Sequence, residues 1–139
     1  MNPVTDFSIR SFLGGYDKNF TYLITCSRTG TQAIVDAAID TNEITNYLKN
    51  DPVAILITHG HSDHIAFLDN YVKEYPRATI LGHPDSKLKE GYPNFKKVDN
   101  NQEFVIGEMR YKCIHTPGHY FDSICYQISP VLFTGDTMF

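Results

Sequence analysis

Strands interleaved with helices in the first half of the chain, followed by an unbroken run of strands, predict an α/β or α+β layered domain. Phe7 to Leu13 and Phe20 to Cys26 are rich in β-branched and aromatic residues, and the turn formers Ser27-Arg28-Thr29-Gly30 separate the second from Thr31 to Asp36. A hairpin and one further strand are expected. Asp40 or Thr41 can cap a helix running to Lys49, because Ile44, Tyr47 and Leu48 share a face and Asn50-Asp51-Pro52 stops it. Val53 to Thr58 is a continuous apolar run, as expected of a strand covered on both faces, and it ends abruptly in His59-Gly60-His61. A second helix is expected from about His64 to Tyr75, with Ile65, Leu68 and Val72 at helical spacing and Pro76 as the stop. Ala78 to Leu81 reads as another buried strand, Gly82 to Asn101 as loop with at most a short helix. Phe104 to Ile106, Arg110 to Ile114, Ser123 to Ile128 and Val131 to Thr134 read as strands.

The 139 residues, 42% hydrophobic and 20% charged, suit one globular domain. A formal charge of −4 without a basic stretch argues against a dedicated nucleic-acid module. Cys26, Cys113 and Cys125 are odd in number and widely spaced, so neither a disulfide framework nor a CxxC site is expected. The opening MNPVTDFSIR does not read as a secretory signal or transit peptide, and no apolar run approaches the roughly 20 residues that span a bilayer. A cytoplasmic protein in a reducing compartment, without membrane association, is the expectation. The chain ends on a strand and turn, Leu132 to Phe139, and this reads as a truncated domain.

Thr58-His59-Gly60-His61-Ser62-Asp63-His64 packs three imidazoles and a carboxylate into six positions. These groups suit zinc, iron and manganese, and Gly60 lets the backbone turn tightly enough for His59 and His61 to share an ion. Asp63 and His64, one turn later, could face a second ion. The plainer reading makes one histidine a helix cap, another a solvated loop residue and Asp63 a charge at a helix N-terminus; it needs four coincidences within six positions. His115-Thr116-Pro117-Gly118-His119 and Thr134-Gly135-Asp136 likewise follow expected strands.

With these three segments the sequence resembles the metallo-β-lactamase superfamily: HGHSDH matches HxHxDH, Thr116 to His119 matches TPGH, and Thr134 to Asp136 matches TGD, in the same order and at similar separations. The resemblance runs from the opening strands to Phe139 and covers about the first two-thirds of a typical family domain. It implies a four-layer αββα sandwich, with residues 1–139 as the N-terminal portion of one such domain. It also implies metals at the edge of the two sheets, with His59, His61 and His119 on a first metal, Asp63 and His64 on a second, and Asp136 bridging. His115 precedes the motif's turn and is expected to support a ligand from behind or to be structural rather than to bind metal, His83 to sit in a loop or at a pocket edge, and Cys113 and Cys125 to be buried apolar side chains. Two departures stand out. His119 is followed by Tyr120-Phe121-Asp122 before Ser123, and the family's last histidine ligand of the second metal lies beyond TGD, where this chain has ended.

The implied activity is hydrolysis, since divalent ions lower the pKa of bound water from about 15.7 towards 7. Asp63 is the catalytic candidate, orienting that water or taking its proton. One or two zinc ions are expected, with iron or manganese possible. Among the superfamily's branches the text THGHSDH, TPGH and TGDTMF is most similar to the hydroxyacylglutathione hydrolase, or glyoxalase II-like, branch, which implies a small-molecule thioester or ester substrate. Two alternatives stay open. One is a persulfide dioxygenase with a single iron on His59, His119 and Asp136, a two-histidine, one-carboxylate set. The other is a non-catalytic truncated domain that binds metal or acts through contacts, as a dimer or with a missing C-terminal segment completing the fold.

Overall fold

The structure, a computed structural model, describes residues 7–14, 19–58, 65, 67–84, 91–115, 124–128 and 131–133. Strands β1 (Phe7–Gly14) and β2 (Asn19–Cys26) form the expected hairpin, paired from Phe7 opposite Cys26 to Gly14 opposite Asn19. β3 (Gln32–Val35) adds antiparallel to β2. β4 (Ala54–Leu56), β5 (Thr79–Gly82) and β6 (Phe95–Lys97) then follow in parallel, giving a six-stranded sheet ordered β1-β2-β3-β4-β5-β6. β7 (Glu103–Ile106), β8 (Met109–His115), β9 (Ile124–Ile128) and β10 (Val131–Phe133) form a second, antiparallel sheet in the order β10-β9-β8-β7.

Period-two alternation sorts the side chains. From the six-stranded sheet, Ile24, Ala33, Val35, Ala54, Leu56 and Leu81 meet Met109, Tyr111, Cys113, Ile124, Tyr126 and Ile128 of the other sheet in one buried core. The opposite face of the first sheet, with Leu23, Ile34, Ile55, Ile57 and Ile80, packs on Ile44 and on helix α1 (Leu68–Glu74). β4 is buried on both faces, as its unbroken apolar run requires. The described layers are therefore helix, sheet and sheet, the first three of the αββα expectation. None of the three cysteines is in a disulfide, and all three are buried.

Three local expectations are corrected. The helix from residue 40 to Lys49 is two 3₁₀ turns, Thr41–Glu43 and Thr45–Tyr47, although Asp40 does cap the first by accepting from the Asn42 amide. Asparagine and threonine favour side-chain bonds to the backbone over continued helix. In addition, the buried Gln32 side chain donates to the Tyr47 carbonyl and accepts from the Lys49 amide, drawing that segment onto the start of β3. The second helix begins at Leu68 rather than near His64: the Phe67 amide donates to the Ala37 carbonyl at 2.9 Å, and Phe67 has non-helical backbone angles. Residues 59–64 and 66 lie outside the described set. Finally, Phe95–Lys97, read as loop, is an edge strand. Its one apolar residue gives no sequence period, and tertiary bonds define it, from the Ile80 amide to the Asn94 carbonyl and from the Val98 amide to the Gly82 carbonyl.

Candidate metal centre

The six residues expected to hold metal, His59, His61, Asp63, His64, His119 and Asp136, lie outside the described residues. Their flanking residues lie within, and these show what the fold does with the three motifs. Thr58 directly precedes the first. Its carbonyl accepts a 2.6 Å hydrogen bond from the amide of Ile124, the first residue of β9. Ile124 is paired with His115, which directly precedes the second motif. Phe133, preceding the third, is paired with Tyr126, two residues further along β9 and so about 7 Å from Ile124 at ordinary strand rise. The chain thus launches all three motifs from neighbouring positions at one edge of the sandwich, although they are distant in sequence.

That edge is pinned from below. Asp36 is buried and accepts from Thr58 twice, from the backbone amide at Oδ1 and from the hydroxyl at Oδ2, both at 2.8 Å. Its own amide donates to the Leu56 carbonyl at 2.8 Å, and its backbone is left-handed, with φ of 63°. Sequence reading treated Asp36 only as a strand terminus. The available signal was a carboxylate ending an otherwise apolar strand, Ala33-Ile34-Val35. Its partner Thr58 is known only from the parallel pairing of β3 with β4. Burial first and the Asp36 charge second raise the pKa of the nearby Tyr22.

Tyr126 ties the two sheets at the same level. Its fully buried hydroxyl lies 2.7 Å from the Ile57 carbonyl oxygen and 3.1 Å from that of Leu81, so one proton is shared between the ends of β4 and β5. His115 is committed by its neighbours: its amide donates to Asn100 Oδ1 at 2.9 Å, and its Nε2 lies 3.0 Å from the Val98 carbonyl oxygen. A carbonyl only accepts, so Nε2 carries the proton and that nitrogen anchors the strand end, in keeping with the structural role expected of it. The His83 ring packs against it, centroids 4.4 Å apart.

Among the described residues no group of three or more histidine, cysteine, aspartate or glutamate side chains is placed to hold a metal. The donor set carried by the motifs, four imidazoles and two carboxylates, has the nitrogen and oxygen chemistry that suits zinc, iron or manganese, and the residues that precede the three motifs meet around Ile124. The residues fit the group.

The comparisons agree with this geometry. A probable hydroxyacylglutathione hydrolase, glo2, of Schizosaccharomyces pombe is 33% identical over 135 residues, covering 90% of this chain and 51% of the relative. A probable polyketide biosynthesis zinc-dependent hydrolase, PksB, of Bacillus subtilis is 30% identical over 129 residues, covering 87% and 56%. The chain therefore spans about half the length of the curated relatives it matches. The crystal structure of the BLEG-1 B3 metallo-beta-lactamase superposes with a TM-score of 0.79 at 24% identity, over 95% of this chain and 73% of that one, and shows a shared fold. The profile of the metallo-beta-lactamase superfamily matches residues 14–139, and with the fold in place the chain belongs to the metallo-β-lactamase superfamily.

Proposed function

We propose that this chain carries the metal centre of a hydrolase that cleaves a small-molecule thioester or ester, of the hydroxyacylglutathione hydrolase kind. The observation that carries the reading is the meeting of the three motif-bearing segments around Ile124, through Thr58, His115 and the Tyr126–Phe133 pair. The relatives named as probable hydroxyacylglutathione hydrolase and zinc-dependent hydrolase support the reaction class and favour zinc.

His59, His61 and His119 would hold a first ion, Asp63 and His64 a second, with Asp136 shared between them. When bound, such ions supply Lewis acidity to the substrate carbonyl and a nucleophile at neutral pH. A carboxylate oxygen of Asp63 would orient the attacking water and take its proton. The new C–O bond forms as the C–S or C–O bond to the leaving group breaks, and the proton returns to the departing thiol or alcohol. Asp36 and Tyr126 fix the described residues before the first motif, Thr58 through its amide and Ile57 through its carbonyl, and this supports a site built on a rigid base. No helix among the described residues is long and apolar enough to cross a membrane, and three buried cysteines outside any disulfide suit a reducing compartment, for which the cytoplasm is our reading.

The test is metal analysis together with Asp63→Asn in protein whose thioesterase turnover has been measured. The amide is nearly isosteric but cannot take a proton, so kcat is expected to fall on the order of a hundredfold or more with melting temperature retained. Wild-type turnover in Asp63→Asn would remove Asp63 from the reaction. Stoichiometric iron, with oxygen consumed alongside a persulfide and no thioester cleaved under any metal, would replace hydrolysis by dioxygenase chemistry.

A further inference from the structure

A depression of about 550 Å³ lies at the β1 side of the six-stranded sheet, walled by Arg10 on β1, by Tyr47 at the end of the second 3₁₀ turn and by Lys49 just after it. Ser8, Thr25 and Gln32 form one cross-strand row in it. Gln32 opens β3, whereas Asp36 and Thr58 lie past that strand's other end, so the depression sits toward the opposite end of β3 from the candidate metal centre. Among the described residues no carboxylate lines it, in a chain whose formal charge is −4.

Arg28 and Arg110 pair with Glu108 and Glu103 at 3.5 and 3.4 Å, but among the described residues neither Arg10 nor Lys49 has an acidic partner. Arg10 is nonetheless held, its guanidinium 4.2 Å from the centroid of the Tyr47 ring, which Phe12 braces edge-on at 5.4 Å. Stacking of this kind orients the guanidinium fork and reduces the entropy lost when it binds. The buried Gln32 amide is fully committed, its nitrogen to Thr25 Oγ1 and the Tyr47 carbonyl and its oxygen to the Lys49 amide. Thr25 Oγ1 therefore accepts from Gln32, and its own proton finds no acceptor among the described residues. Two positive charges and a spare hydroxyl donor around a floor that includes Leu23 are complementary to an acceptor-only anionic group on a small organic body.

We propose that this depression binds a small organic oxyanion, with its phosphate or carboxylate group between Arg10 and Lys49 and bonded by the Thr25 hydroxyl, and its body against Leu23 and Tyr47. The guanidinium supplies paired donors to two oxygens, and Lys49 adds a point charge. The proposal is independent of the reaction assigned to the metal centre.

The experiment is an NMR titration of the intact, metal-loaded protein with inorganic phosphate and separately with citrate, at constant ionic strength set with chloride. It follows the amides of Ser8, Thr25 and Lys49 and the side-chain amide of Gln32. Saturable shifts at these positions are expected, at millimolar or lower ligand, and whichever anion saturates at lower concentration identifies the preferred head group. Anion binding at the metals would move other resonances and does not affect this readout. Arg10→Gln and Lys49→Gln should each weaken the local binding at least about fivefold. Arg28→Gln makes the same change in net charge at a paired site and should leave it unchanged. Non-saturating shifts, equal shifts with chloride alone, or equal weakening by Arg28→Gln would overturn the proposal.

Discussion

Asp36 holds Thr58 with both of its carboxylate oxygens, at 2.8 Å to the amide and 2.8 Å to the hydroxyl, and the residue after Thr58 begins the histidine-rich motif. A buried carboxylate thereby clamps the point at which β4 gives way to the candidate metal loop. Its left-handed backbone, φ 63°, suits aspartate or asparagine and disfavours residues unable to bond locally.

Asp36→Ala should therefore cost on the order of 3 kcal/mol, from an unsatisfied buried Thr58 amide plus a strained φ. Asp36→Asn keeps one acceptor oxygen and tolerates the backbone, and should cost roughly half as much. Urea denaturation of the two variants checks the order. Equal losses would show that the hydroxyl bond, rather than the amide bond and the φ, carries the interaction.

Tyr126→Phe removes only a hydroxyl, but it leaves the Ile57 and Leu81 carbonyls without that donor inside the sandwich. A loss of about 1–2 kcal/mol is expected. Because those carbonyls end β4 and β5 beside the candidate centre, metal affinity should fall with stability. A destabilised variant with undiminished metal affinity would separate the sheet tie from the site.

Gly107 opens the two-residue loop between β7 and β8 with φ of 61°, the position where II′ hairpins take glycine. A Cβ there would come within 2.7 Å of the Thr29 hydroxyl and 3.0 Å of Thr31 Cβ, across the two sheets. Gly107→Ala should cost about 2 kcal/mol by combining backbone strain with that clash. Thermal unfolding of Gly107→Ala in a Thr29→Ala background, which lacks the clashing hydroxyl, measured against Thr29→Ala alone, should recover only part of the loss, because the φ remains.

Alkaline pH should unfold the protein. Burial pushes the Cys113 thiol up to about 12 and the Tyr71 and Tyr111 phenols well above their usual range. Between about pH 8.5 and 12 the unfolded chain releases the Cys113 proton while the folded chain keeps it, so stability is full below that window and declines through it, with a limiting slope of about 1.4 kcal/mol per pH unit for each such proton. Cys26 runs the other way: burial raises its thiol, but the Thr29 hydroxyl and the backbone amides of Glu108, Thr29 and Arg28 outweigh that and lower it, so its contribution is complete by about pH 9. Denaturation midpoints from pH 8 to 11 check this, and Cys113→Ala should flatten the decline whatever it does to stability at neutral pH.

The sequence by itself determined the strands other than Phe95–Lys97, because alternating or continuous apolar runs such as Phe20 to Cys26 and Val53 to Thr58 mark them locally. It also determined the family, because three chemically unusual motifs occur in one order. The tertiary structure decided what no local pattern encodes. Residues 41–47 wind as 3₁₀ turns because Gln32, from another strand, takes the Tyr47 carbonyl and the Lys49 amide. Phe95–Lys97 is a strand because β5 offers its edge. Asp36 matters because parallel pairing sets it beside Thr58, and the residues that precede the three motifs meet at one sandwich edge because Thr58, His115 and Phe133 are registered on β9. Each is a contact between residues far apart in the chain, formed only once the chain has closed, and its free energy resides in that closure rather than in any local preference.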